Sequence, residues 1–329
     1  MTRSDNERPV IQRMLIATSM QPPHLERLRT EFPGIEFVSI DDTPDAETVA
    51  GFDAAVIWRA DPAWLEVEGT RLRWVHTGGA GVEHMPLAAL HERGIVVTNN
   101  SGVHVPNMPE HMLALMLAFA RRLPTLFRAQ TAHEWRDEAT HREVFELAGQ
   151  TVLLVGMGDI GLGLGERAAA LGMRVTGLRR RTGRPAPPFV ERVFGLDEFQ
   201  AALADADHVA ISLPQTKETV GMFDHAAFAA MKPGAYLYNV GRGAIVDSDA
   251  LIEALRSGRL AGAGLDVTDP EPLPADSPLW DMENVVITSH TSGASPRVWD
   301  RGVEIVADNL RRWHAGEPLR NEVDSAAGY

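Results

Sequence analysis

Short apolar runs punctuated by polar, helix-like stretches dominate the first hundred residues. Segments 14–18, 37–40, 54–58, 73–77 and 96–99 read as buried strands, and 24–32 reads as a helix. This alternation predicts a parallel α/β domain. A longer apolar helix is expected over 109–123, with Pro109 suited to its first turn. The rhythm restarts at 151–155 and continues to about residue 290. The spacing of Val298, Val303, Ile305, Val306, Leu310 and Trp313 then predicts a last helix over 296–314 that returns to the first domain. The expected fold is α/β, with two Rossmann-like or flavodoxin-like parallel-sheet domains and a cleft between them. A substrate-binding domain would comprise 1–102 plus 293–329, and a dinucleotide-binding domain 103–292.

Three strand-like runs in the second domain (235–240, 262–267 and 285–289) are followed by Arg242, Glu271 and His290. Parallel strands share one C-terminal edge, where ligands bind, so the three side chains are expected to converge. An Arg that holds a carboxylate and a Glu-oriented His that moves a proton suit a 2-keto acid. A neighbouring carboxylate favours the charged imidazolium, and general acid catalysis contributes about 10²–10⁴-fold.

Gly156-Met157-Gly158-Asp159-Ile160-Gly161 follows the 151–155 strand and opens an Ala- and Leu-rich helix. With a second strand expected over 173–178, this pattern predicts a pyrophosphate site at a helix N-terminus. About 20 residues beyond such a fingerprint, an acid marks NAD and an Arg marks NADP. Here Arg179, Arg180 and Arg181 stand there with no acid among them, which points to NADPH.

Composition tempers this reading. Arginines are 29 of the 31 basic residues, with only Lys217 and Lys232 as lysines, so an isolated Arg carries little information. The absence of cysteine excludes disulfides and thiolate chemistry. The formal charge of −14 disfavours nucleic acid and anionic membranes. No run reaches the roughly 18 apolar residues of a membrane helix. The first ten residues (MTRSDNERPV) read as a frayed polar tail without a signal peptide, and a cytoplasmic location is expected. No histidine pair has metal-ligand spacing, and His76, His104, His111 and His208 are expected to be structural or peripheral.

Taken together, these motifs resemble the D-isomer-specific 2-hydroxyacid dehydrogenase family. The resemblance also rests on residues 76–82 (HTGGAGV), Pro109-Glu110-His111, 213–219 (LPQTKET), 250–258 (ALIEALRSG) and 266–280 (DVTDPEPLPADSPLW). It implies that Arg242 anchors the substrate carboxylate and carbonyl, His290 is the acid/base and Glu271 orients it. It further implies that backbone N–H groups of Gly79, Ala80 and Gly81 bind the carboxylate and that Asp266 receives the nicotinamide carboxamide. Met157, Gly158, Asp159, Ile160, Leu213, Pro214, Thr219, Val240, Gly241, Arg242, His290 and Gly293 would complete the cofactor site. Trp58 resembles the tryptophan-bearing substrate loop of the glyoxylate/hydroxypyruvate reductase branch, and Met108 would lie by the nicotinamide.

There are two departures from the family pattern. Thr288-Ser289-His290 replaces the usual Thr-Pro-His, which is expected to loosen the turn, and Gly241 replaces the usual Ala. Ser289 also stands where a formate dehydrogenase would carry Gln. Only residues 291–329 follow His290, so no appended regulatory domain of the long phosphoglycerate dehydrogenases is expected. The reaction implied is NADPH-dependent reduction of a small 2-keto acid, glyoxylate or hydroxypyruvate first, to the (R)-2-hydroxy acid. Hinges are expected near residues 100 and 292. A homodimer is expected through 109–123 and the segment to Trp135. NAD-dependent lactate or phosphoglycerate dehydrogenase activity is the alternative, and a dinucleotide-sensing corepressor is the remote one.

Overall fold

Residues 8–41, 43–136 and 142–325 are described by the computed structural model. In chain order the first elements are β1 (Arg13–Ala17), α1 (Pro22–Glu31), β2 (Glu36–Ser39), α2 (Ala46–Ala50), β3 (Ala54–Ile57), β4 (Trp74–Thr77), α3 (Leu87–Glu92) and β5 (Val96–Thr98). Next come α4 (Asn107–Ala120), α5 (Leu123–Thr131), β6 (Thr151–Val155), α6 (Asp159–Ala170), β7 (Arg174–Leu178), β8 (Arg192–Phe194), α7 (Phe199–Ala204) and β9 (His208–Ile211). The last are α8 (His225–Ala230), β10 (Ala235–Asn239), α9 (Ser248–Arg256), β11 (Leu260–Leu265), β12 (Val285–Ile287) and α10 (Val298–Ala315). The chain divides into two units. One runs to Val103 and resumes at Ser295; the other is His104–Ala294.

The first unit carries a parallel sheet of order β2-β1-β3-β4-β5, the flavodoxin-like winding. β3 and β4 are buried throughout, as a sheet covered on both faces requires. α10 belongs to this unit and buries Trp299, Val303, Val306, Leu310 and Trp313, a single stripe at helical spacing, against Met14, Ile16, Val56 and Trp74. The polar tail expected over 1–10 is anchored from Arg8 onward. Arg8 lies 4.9 Å over the Trp313 ring, and Trp313 Nε1 donates to the Pro9 carbonyl. Residues 1–7 fall outside the described residues.

The second unit carries a parallel sheet of order β12-β11-β10-β9-β6-β7-β8. Its winding reverses between β6 and β9, the topological switch at which doubly wound sheets bind ligands. The helix expected over 109–123 is α4, which begins two residues earlier and ends three residues earlier than expected. α4 starts at Asn107 and stops at Ala120, Arg122 turns left-handed at φ 56°, and α5 follows with Pro124 in its first turn. Pro124 explains the break: within a continuous helix its ring would meet the Ala120 carbonyl. Among the described residues, no helix is long and apolar enough to cross a membrane.

Candidate active site

β10, β11 and β12 are neighbours, and their ends coincide in register, with Asn239 opposite Leu265 and Leu265 opposite Ile287. The chain therefore leaves the sheet at Val240, Asp266 and Thr288 along one edge, and Arg242, Glu271 and His290 follow from these exits. Glu271 Oε1 lies 2.5 Å from His290 Nδ1, and both side chains are about half exposed. A carboxylate only accepts, so Nδ1 carries the hydrogen and Nε2 is the atom left to exchange a proton with a ligand. Arg242 is half-buried, and its guanidinium donates to the Gly241 carbonyl at 2.8 Å. Buried Asn239 clamps this turn, accepting from Gly241 N–H and donating to the Arg242 carbonyl, each at 3.0 Å.

The loop bearing His290 has a constrained backbone. Ser289 and His290 have φ of 46° and 55°, a left-handed pair of non-glycine residues. Such residues cost about 1–3 kcal/mol each and persist only where the surroundings hold them. Here the holding group is Asp266, whose side chain is fully buried. Its Oδ1 accepts from Thr288 Oγ1 (2.7 Å), Thr291 N–H (2.8 Å) and Ser292 N–H (3.1 Å). His290 N–H donates to the Asp266 carbonyl at 2.6 Å. Burial pushes the Asp266 carboxyl up, but the bonds from Ser292, Thr288 and Thr291 outweigh it and hold its pKa below the ordinary value. The turn at Ser289 is thus tied down, not loosened. Its φ is one that a proline ring does not reach.

At the switch point, Gly156 has φ 103° and Gly158 caps α6. A Cβ on Gly161 would overlap the Gly156 carbonyl, whereas one on Gly158 would meet nothing within 4 Å. The loop is packed tightly beneath and open above, with Asp159 and Ile160 in the first helical turn. Gly161→Ala is expected to lower stability by about 2–3 kcal/mol, read from the urea midpoint at constant m. Met157 packs over Gly177 of β7. Leu213 and Pro214 follow β9, and Ser212 Oγ donates to the Gly156 carbonyl at 3.2 Å. Thr219 Oγ1 closes that loop by donating to the Pro214 carbonyl at 2.8 Å. After β7, Arg179 is committed to its own loop: its guanidinium donates to the carbonyls of Thr182 (3.3 Å), Pro185 (3.5 Å) and Arg184. Arg180 and Arg181 are exposed. Gly293 lies against His104, and Met108 packs on the core beneath β6.

In the first unit, Trp58 follows β3 and the 79–81 turn follows β4, its neighbour. Trp58 is 46% exposed and stands edge-on to Trp299, with ring centres 5.9 Å apart. Asn100 Nδ2 and Asn99 Nδ2 donate to the carbonyls of Gly78 and Ala80, each at 2.8 Å, and Asn100 N–H donates to that of Gly79 at 3.0 Å. Ala80 and Gly81 are half-buried, and their N–H groups donate to no acceptor among the described residues.

Residues 113–292 match the family described as D-isomer specific 2-hydroxyacid dehydrogenase, NAD binding domain. This chain belongs to that family. Among dehydrogenases and reductases of known name, it is 37% identical to glyoxylate/hydroxypyruvate reductase B of Pectobacterium carotovorum, over 77% of this chain and 79% of that one. It is 34% identical to D-3-phosphoglycerate dehydrogenase of Archaeoglobus fulgidus, over 77% of this chain and 47% of that one. The chain thus spans about half the length of the phosphoglycerate dehydrogenases it matches. The NADPH-dependent glyoxylate/hydroxypyruvate reductase of Sinorhizobium meliloti, solved with NADP and sulfate, superposes with a TM-score of 0.82 at 30% identity, covering 97% of this chain and all of that one. The family is one of oxidoreductases, and the matched residues correspond to its NAD-binding domain.

The sequence alone predicts a structural or peripheral His111. In the dehydrogenase fold its Nε2 lies 2.9 Å from Thr288 Oγ1, beside the His290 loop. Only the spacing of Asn107 and His111, four apart at the start of α4, could have signalled this face.

Proposed function

We propose that this dehydrogenase is an NADPH-dependent reductase that converts a small 2-keto acid, glyoxylate or hydroxypyruvate first, to the (R)-2-hydroxy acid. The observation carrying this reading is the 2.5 Å contact between Glu271 and His290 on the sheet edge that also bears Arg242. His290 Nε2 donates the proton to the carbonyl oxygen, with Glu271 fixing the ring. Arg242 polarises that carbonyl and holds the carboxylate, lowering the cost of the charge that develops there. In the first unit, the Ala80 and Gly81 N–H groups are proposed to receive the carboxylate, and Trp58 to bound the substrate.

A dinucleotide fits the second unit, because the Gly156–Gly161 turn is open above Gly158 and lies at a helix N-terminus. Met157, Gly158, Asp159, Ile160, Leu213, Pro214, Thr219, Val240, Gly241, Asp266 and Gly293 would hold it, and when bound it supplies the hydride. We assign grip on a 2′-phosphate to Arg180 and Arg181, since Arg179 braces its own loop. Structures of relatives with NADPH or NADP support this choice. We also propose a homodimer, supported by the exposed Leu117, Phe127 and Trp135 on and after α4 and α5.

Steady-state rates over glyoxylate, hydroxypyruvate, pyruvate and phenylpyruvate with both cofactors test this reading. NADPH is expected to give the higher kcat/KM, by about tenfold or more. Replacing Arg180 and Arg181 with Ala should bring the two cofactors together. Equal values in the unmodified protein would remove the arginines as the selecting feature.

A further inference from the structure

The loop that carries His290 is held from outside its own strand by one face of α4. Asn107 and His111 stand four residues apart and therefore on the same side of the helix. Asn107 Nδ2 donates to the Ser292 carbonyl at 2.8 Å, at one end of the loop. His111 Nε2 meets Thr288 Oγ1 at 2.9 Å, at the other end. The Thr288 hydroxyl has one hydrogen, and it is directed to Asp266 Oδ1 at 2.7 Å, because a carboxylate only accepts. Thr288 must then accept from His111, so the bonds run in one direction: His111 Nε2–H to Thr288 Oγ1–H to Asp266. His111 Nε2 also lies 3.7 Å from the same carboxylate oxygen. Between the two ties sit Ser289 and His290 in the left-handed conformation.

We propose that His111 is a positioning residue for the reaction. Through the Thr288 hydroxyl and the Asp266 carboxylate it fixes the strained turn that aims His290. It acts without a hydrogen bond to His290 itself. This inference rests on the reading of His290 as the acid. Its chemistry is that of a hydrogen-bond relay that transmits geometry, because misplacing a reacting group by about 1 Å costs up to about 10²-fold in rate.

The test uses the full chain with NADPH and glyoxylate. His111→Leu and Thr288→Val each break the relay, and each is expected to lower kcat by about tenfold. KM and the NADPH Kd should stay within about twofold. His111→Gln and Thr288→Ser keep a donor and a hydroxyl, and each should recover most of the rate. The double variant His111→Leu/Thr288→Val should be no slower than the worse single one, since both remove one chain of bonds. Hydrogen exchange gives a readout independent of turnover: the amides of Thr291 and Ser292 should lose protection in both broken variants. Unchanged kcat and unchanged exchange in His111→Leu would overturn the proposal, as would fully additive losses. His290→Ala separates the two claims. If it retains turnover, the acid assignment fails, and the exchange rates alone then decide whether His111 holds the loop.

Discussion

His290→Ala is expected to abolish reduction, with kcat falling by about 10²–10⁴-fold, while NADPH binds with near-normal affinity. The size follows from its imidazole being braced by a carboxylate on the edge formed by β10, β11 and β12, at 2.5 Å from Glu271. Glu271→Gln should lose less, because an amide still accepts from Nδ1–H but no longer stabilises the charged ring. The affinity should survive because the dinucleotide loop lies at the β6–β9 switch, several strands away along the same sheet. Steady-state kinetics together with a fluorescence titration by NADPH separate the two effects. Turnover retained in His290→Ala would remove it as the proton donor.

Acid is expected to destabilise both units well before the carboxylates protonate. His76 in the first unit and His208 in the second are buried, and burial lowers each pKa to about 4. Their bonds are complete only for neutral rings. His76 Nε2 donates to Asn100 Oδ1 at 3.0 Å, and its Nδ1 meets the Thr98 hydroxyl, which also accepts from Trp74 Nε1. His208 is stacked beside Tyr236 and bonded to Tyr238 and Gln150. The unfolded rings take up protons near pH 6.5 and the folded ones only near 4, so stability falls as pH drops through this window. At pH 5 the loss is about 2 kcal/mol per site, or several degrees in Tm. Thermal unfolding at pH 7.5 and 5 checks this, and in His208→Gln the difference should shrink. A Tm flat between those values would contradict it.

Much of the fold could be read from the chain because parallel strands buried on both faces are written as continuous apolar runs. Runs such as 54–58 and 151–155 locate their strands to within a residue. The helix expected over 109–123 was likewise legible, since it stops before Pro124, whose ring cannot continue it. The site was legible where each residue sits just beyond a strand, as Arg242, Glu271 and His290 do. What the sequence hid was contact between residues far apart in the chain: His111 on Thr288 and Arg8 on Trp313. Neither pairing is written in a periodicity, because each depends on how distant elements pack.

The most direct measurement is a product analysis of hydroxypyruvate reduction by the purified protein with NADPH. One (R)-glycerate formed for each NADPH consumed is the expected result. Formation of (S)-glycerate, or no NADPH consumption with hydroxypyruvate or glyoxylate by a protein that still binds NADPH, would contradict it.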